Sequence, residues 1–301
     1  VFWYRLHLLG ARVLPEWLMG GVVLFFTAAF YAALSNVRRA VAFNRALIEG
    51  TASFWTRQRR VFQTLHAYAW CLTERYEQFI PTKQFAVRID SQEHWQGLIA
   101  RGGGFIVATA HVGNWELGSR LPATQGGRLV HVVREVELDP RSQAFVQSLL
   151  ERSGGMRYRT HFASDDPTLG VELYDALRAG EIVALQVDRP RAGGQTETIA
   201  LFGQPFSLPI GPAALARLAS VPILLVFTLR EGRRTYRLQL CPPVDVARTA
   251  DRRADIRTAL EALGRELEEV LHAHPEQWFC FREAVVHPRM RPPAALRPDH
   301  P

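Results

Sequence analysis

Residues 105–118 read FIVATAHVGNWELG. The run from Phe105 to Ala110 is uncharged and mostly apolar, and it is followed at once by His111, Asn114, Trp115 and Glu116. A short apolar run of this kind predicts a buried strand. In open α/β sheets the positions just past the carboxyl ends of such strands are where ligands bind. His111 is therefore the first candidate for chemistry in the chain.

Working outward from this strand, short apolar segments alternate with helical periodicity. Strand-like stretches lie at 85–89, 128–133, 182–188, 222–229 and 236–244. Helical stretches lie at 91–102, with Ser91 as candidate N-cap and Gly102 as stop, and at 140–154, 166–180, 212–219 and 253–275. Residues 37–80 carry apolar residues at three-and-four spacing, which predicts two helices separated at Gly50 and stopped by Pro81. Strands alternating with helices predict an α/β fold: a central mixed, mostly parallel sheet flanked by helices. Three regions follow: an N-terminal helical region at 1–80, an α/β domain at 81–285 and a loose Pro/Arg-rich tail at 286–301.

The front of the chain adds a second signal. Residues 17–34, WLMGGVVLFFTAAFYAAL, contain no charge. As a helix this run measures about 27 Å, close to the thickness of a hydrocarbon core. It fits a buried helix, a membrane-spanning helix or an interfacial helix, and two of these three place the protein on a membrane. No small-residue cleavage site closes the run, which argues against a signal peptide. Arg38, Arg39 and Arg45 follow it and mildly favour a cytoplasmic location for what comes after.

The net charge of +7 favours acidic partners, such as an anionic membrane surface or an acidic carrier protein. The arginines are scattered, without the aromatic interleaving of an RNA-binding module, so nucleic acid is excluded as the leading partner. Three distant cysteines, Cys71, Cys241 and Cys280, with no CxxC, give neither a disulfide framework nor a zinc site. No metal or cofactor is called for.

His111 can act as a general base near neutral pH, and a carboxylate on its other ring nitrogen would fix the tautomer and steady the imidazolium. Glu116, five positions on, could reach it across a turn. By itself the H-x4-E pattern more often marks a structural histidine at a strand end, with Glu116 an ordinary helix acid. Asn114 could brace the turn, and Gly113 permits a tight backbone.

The wider sequence resembles a known family. AHVGNWELG is similar to the H-x4-D/E block of glycerolipid-type acyltransferases, and most of all to the lipid A late (lauroyl/myristoyl) acyltransferases, in which Glu takes the carboxylate place. VHVVRE (130–135), VALQVDRP (183–190), IALFGQPFSLPIGPAALARLASVPILLVF (199–227), HPEQWFCFRE (274–283) and RRAVAFNRAL (38–47) resemble further blocks in the family's order. The third block often reads Asp-Gln in the family, whereas this chain has Asp188 followed by Arg189 and a basic, Gly-rich loop. Mycobacterial glycolipid acyltransferases share the superfamily.

The resemblance implies an O-acyltransferase at the cytoplasmic face of an inner membrane. It would move a fatty acyl chain from an acyl carrier protein or coenzyme A thioester to a hydroxyl of a membrane glycolipid such as a lipid A precursor. It implies His111 as base and Glu116 as its orienting carboxylate. Arg134 and Arg189 become candidates for binding phosphate or stabilising an oxyanion, Asp188 for holding Arg134 or touching the acceptor, and Phe202, Gly203 and Pro209 for shaping a substrate groove. A thioesterase using the same pair is the competing enzyme class, although no G-x-S-x-G elbow supplies a serine. A membrane scaffold without activity is the competing non-enzymatic class.

Overall fold

The computed structural model describes residues 9–117, 127–135, 158–163, 168–191 and 193–284. The helix expected at 140–154 and the tail at 286–301 lie outside these residues.

The described elements begin with three helices, α1 (Glu16–Ala33), α2 (Ser35–Glu49) and α3 (Phe54–Glu77). An alternating series follows: β1 (Ala86–Asp90), α4 (Gln92–Arg101), β2 (Phe105–Thr109), β3 (Val130–Glu135), β4 (Tyr158–Ala163), α5 (Thr168–Arg178) and β5 (Ile182–Gln186). The chain continues through β6 (Thr196–Leu201), β7 (Gln204–Pro209), α6 (Gly211–Ala219), β8 (Ile223–Gly232), β9 (Thr235–Leu240) and α7 (Arg252–Ala273), then a 3-10 turn at Pro275–Gln277. Ser91 precedes α4 in a left-handed conformation (φ 57°) and makes no side-chain cap bond, whereas Gly102 closes the helix as expected.

Seven strands form one sheet in the order β1-β9-β8-β2-β5-β3-β4. Strands β8, β2, β5, β3 and β4 pair in parallel, β9 runs antiparallel to β8, and β1 is parallel to β9. The architecture is the mixed, mostly parallel α/β sheet that the alternation predicts. The β6–β7 hairpin forms a separate two-stranded sheet.

Strand β2 sits between β8 and β5, and its apolar run is explained by burial on both faces. Ile106 and Ala108 point to a core shared with α5, α6 and α7, including Leu173, Ala216, Leu260 and Leu263. Phe105 and Val107 point the other way, to Trp95 and Leu98 of α4. Alternation along the strand divides one apolar segment between two cores.

The N-terminal helices form a further layer. Thr27 meets His66 and Tyr31 meets Gln58, so α1 lies antiparallel along α3. Met19, Val23 and Thr27 are the buried residues of α1. Trp17, Leu24, Phe25, Phe26 and Phe30 are exposed, as are Phe54 and Trp55 at the start of α3. Among the described residues, α1 is long and apolar enough to cross a membrane.

Helix α3 is tied to the sheet by buried charge. The Glu74 carboxylate is fully buried. It accepts from Arg230 Nε at 3.0 Å and Nη2 at 3.1 Å, from Arg233 Nη1 at 3.1 Å, from the Arg234 backbone N–H at 3.0 Å and from the Tyr236 hydroxyl. Glu77, one turn on, binds Arg233 and Arg234. Arg230 and Arg233 also lie over the Trp70 ring, at 5.1 and 4.9 Å from its centroid. Each oxygen of these carboxylates accepts from at least one donor, which is the condition under which a buried charge is tolerated. Glu74→Ala would leave the Arg230 guanidinium without its carboxylate and take one of the carboxylates from Arg233, and we expect a loss of about 3–5 kcal/mol in urea unfolding. A loss below about 1 kcal/mol, the range of an exposed pair, would show that the network carries little of the docking of α3.

Candidate active site

The site forms where β2 and β5 end together. Their parallel register pairs Thr109 with Gln186, and Val187 N–H continues the ladder to the Thr109 carbonyl. Two residues further on each chain stand His111 and Asp188, side by side beyond the carboxyl edge of the sheet.

Asp188 holds His111 at two points. Oδ2 accepts from the His111 backbone N–H at 3.1 Å, and Oδ1 lies 2.8 Å from Nδ1. The Asp188 side chain is shut off from solvent, and that of His111 is 12% exposed. Burial alone would raise the Asp188 carboxyl; the charge and hydrogen bonds of His111, together with Arg189, outweigh it and hold the group below its ordinary value. Arg189 Nε also lies 3.0 Å from Nδ1. One ring nitrogen cannot donate to Asp188 and accept from Arg189 at once, and the ionised carboxylate decides for the donor role. Nε2 is then the basic nitrogen. The Trp115 ring packs edge-on against the imidazole at 4.9 Å.

The carboxylate on His111 is thus Asp188, where the sequence reading expected Glu116. Glu116 is placed between two arginines: it is ion-paired with Arg75 of α3 on one oxygen, and Arg134 donates to the other at 2.7 Å. A single turn starts directly after His111. It carries the Glu116 side chain to the mouth of β3, where Arg134 stands, and the β5 end takes the place beside the ring. Asp188, expected to hold Arg134 or touch the acceptor, is engaged with His111.

Asn114 braces the turn. It is buried, and its amide donates to the Cys71 carbonyl at 3.3 Å and to the Tyr236 hydroxyl at 3.4 Å. Gly113 is required by geometry. Its φ is +59°, and a Cβ there would lie 2.0 Å from the Thr228 carbonyl oxygen.

The segment following α7 clamps the same turn. Gly113 N–H donates to the Gln277 carbonyl, Phe279 N–H donates to the His111 carbonyl, and Asn114 N–H donates to the Thr228 carbonyl, each at 2.9 Å. The Gln277 side chain acts as a surrogate backbone: its Nε2 donates to the Arg230 carbonyl at 2.9 Å and its Oε1 accepts from Arg230 N–H at 2.8 Å. Asn44 of α2 holds the far end of the segment, donating to the carbonyls of Cys280 at 2.9 Å and Arg282 at 2.8 Å and accepting from Ala284 N–H at 3.1 Å.

A cavity of about 210 Å³ opens at His111. Its polar wall is made by Arg75, Asn114, Glu116 and Arg189, and its apolar wall by Tyr68, Leu72, Phe279 and Phe281. Phe202, Gly203 and Pro209 do not line it. Phe202 and Gly203 form the β6–β7 turn, where Phe202 N–H donates to Glu268 and its ring packs on His272 of α7. Sequence reasoning missed the four lining residues of α3, Tyr68, Cys71, Leu72 and Arg75; nothing in the periodicity of α3 distinguishes them from its other inward positions.

A His–Asp pair thus stands beside a cavity with one polar and one apolar wall. The profile of the family described as bacterial lipid A biosynthesis acyltransferase matches residues 1–285. The chain belongs to this family. Phosphatidylinositol mannoside acyltransferase of Mycobacterium tuberculosis, from strains CDC 1551 and H37Rv, is 24% identical over 295 residues, covering 93% of this chain and 86% of the relative. The crystal structure of the 1-acyl-sn-glycerophosphate acyltransferase PlsC from Thermotoga maritima covers 84% of this chain and 96% of its own, at 15% identity and a TM-score of 0.37. The protein is an acyltransferase, as its family and relatives are.

Gly113→Ala tests the turn that follows His111. We expect a loss of at least about 2 kcal/mol in thermal or urea unfolding, because the left-handed φ and the clash with a backbone oxygen add. Stability within about 0.5 kcal/mol of the parent would show that the turn has room to relax.

Proposed function

We propose that the protein transfers a fatty acyl chain from a carrier thioester, on acyl carrier protein or coenzyme A, to a hydroxyl of a membrane glycolipid. The observation that carries this reading is the His111–Asp188 pair at the mouth of a cavity with one polar and one apolar wall.

The acceptor hydroxyl gives its proton to His111 Nε2 as its oxygen attacks the thioester carbonyl. Asp188, ionised and bonded to Nδ1–H, steadies the imidazolium that forms. The C–O bond forms, the tetrahedral oxyanion collapses, the C–S bond breaks, and the thiolate leaves with the proton returned by the imidazolium. The substrate supplies its own nucleophile, so no acyl-enzyme is required. Arg189 stands at the ring and Arg134 is held by Glu116; both suit an anionic group of the acceptor or donor. Glu116 in this reading is a positioning residue that keeps Arg75 and Arg134 together.

The acceptor class rests on the family, whose description names lipid A biosynthesis, and on the relative named for phosphatidylinositol mannoside. These acceptors share a phosphate-bearing, hydroxyl-rich headgroup on a lipid. The exposed apolar face of α1, continued by Phe54 and Trp55, suits attachment to the bilayer that holds such an acceptor. This reading places the protein at the cytoplasmic face of an inner membrane.

The test is lipid mass spectrometry after incubating the protein with acyl carrier protein and coenzyme A thioesters and vesicles containing either acceptor class. The expected result is an acceptor heavier by one acyl group, with His111→Ala folded and at background. Free fatty acid without acylated lipid would contradict transfer in favour of hydrolysis, and undiminished turnover by His111→Ala would remove the base assignment.

A further inference from the structure

We propose that Tyr68 is a second catalytic group of this site, its hydroxyl donating a hydrogen bond to the carbonyl oxygen that becomes negative when the donor thioester is attacked. The inference rests on the acyl-transfer reading above and adds the group that this reading leaves unfilled, a donor for the oxyanion.

Tyr68 lies on α3 and lines the same cavity as His111. Its ring is wedged edge-to-face against Phe279 at 5.2 Å and Phe281 at 4.9 Å. Phe279 is also the residue whose backbone N–H holds the His111 carbonyl. One extended segment therefore braces both the backbone that carries the imidazole, which Asp188 orients, and the ring that carries the phenol. Such preorganisation is what an oxyanion donor needs, because a group that must reorient at the moment of reaction loses most of its benefit.

The hydroxyl is available. Among the described residues it has no hydrogen-bond partner, whereas the Asn114 amide of the same cavity is engaged by Cys71 and Tyr236. Burial pushes the phenol above its ordinary value, with Glu116 in the same direction and Arg75 and Arg189 opposing. The group is thus a neutral O–H donor throughout the working pH range. Those two arginines also face the cavity, so charge developing on an oxygen near Tyr68 meets positive potential. No proton leaves Tyr68 in the step: the bond strengthens as the carbonyl becomes an oxyanion and weakens when the C–S bond breaks.

Tyr68→Phe removes one oxygen and keeps the ring contacts. With purified protein, acyl thioester and acceptor vesicles, we expect kcat to fall on the order of 10²-fold with KM unchanged. The affinity for a non-reactive thioether analogue of the donor and the acyl-length preference should stay as in the parent. A kcat within about twofold of the parent would overturn the proposal, since an oxyanion donor is worth far more than that. So would an altered acyl-length preference at full kcat, which would make Tyr68 a wall of the chain groove. Absence of transferase activity in the parent protein with every donor would instead refute the acyl-transfer reading itself, and the role of Tyr68 with it.

Discussion

The parallel register of β2 against β5 is the constraint on which the site depends. Thr109 opposite Gln186 sets His111 opposite Asp188, because parallel neighbours advance at the same rise per residue. A shift of one residue would turn the Asp188 side chain to the other face and dismantle the pair. That register is held by apolar alternation. Ile106 and Ala108 match one core and Phe105 and Val107 the other, so any slip would exchange two differently shaped sets of packed residues.

The ends of these strands would fray without reinforcement, and three pieces of distant sequence supply it. The segment Gln277–Phe279 pairs with the His111 turn, Thr228 of β8 receives Asn114, and Asp188 receives the His111 backbone. Helix α3 closes the cavity from above while Glu74 and Glu77 lock it to the β8–β9 turn. The helix that contributes Tyr68 and Arg75 is also the one along which apolar α1 lies. The exposed apolar face of α1 and the wall of the cavity thus belong to one helical layer.

Much of this was legible in the sequence because it rests on local pattern. The buried strand ending at His111, the strand ending at Asp188 and the alternation of elements follow from periodicity, and the order of short blocks carried the family. The carboxylate partner of His111 was misread because sequence spacing favours the near residue, Glu116, whereas strand register delivers one 77 positions away. The β6–β7 hairpin was missed since β6, TETIAL, has few apolar residues and β7, QPFSLP, carries two prolines. Glu74 and Glu77 look like an ordinary charged helix face; only the arrival of Arg230, Arg233 and Arg234 on the hairpin makes them interior. Gln277 sits in a recognisable PEQ block, yet its function as a surrogate backbone depends on Arg230 being opposite.

The central claim is that Asp188, and not Glu116, orients the base. The direct measurement compares the pH dependence of kcat for Asp188→Asn and Glu116→Gln, two isosteric changes at sites of different partner. With Asp188 as the partner, Asp188→Asn lowers kcat by roughly 10²–10⁴-fold and displaces the acidic limb, where the imidazole must lose its proton to act as base. Glu116→Gln then keeps the parent profile and acts mainly on KM for the anionic substrate. A normal profile in Asp188→Asn together with a collapsed one in Glu116→Gln would contradict this assignment.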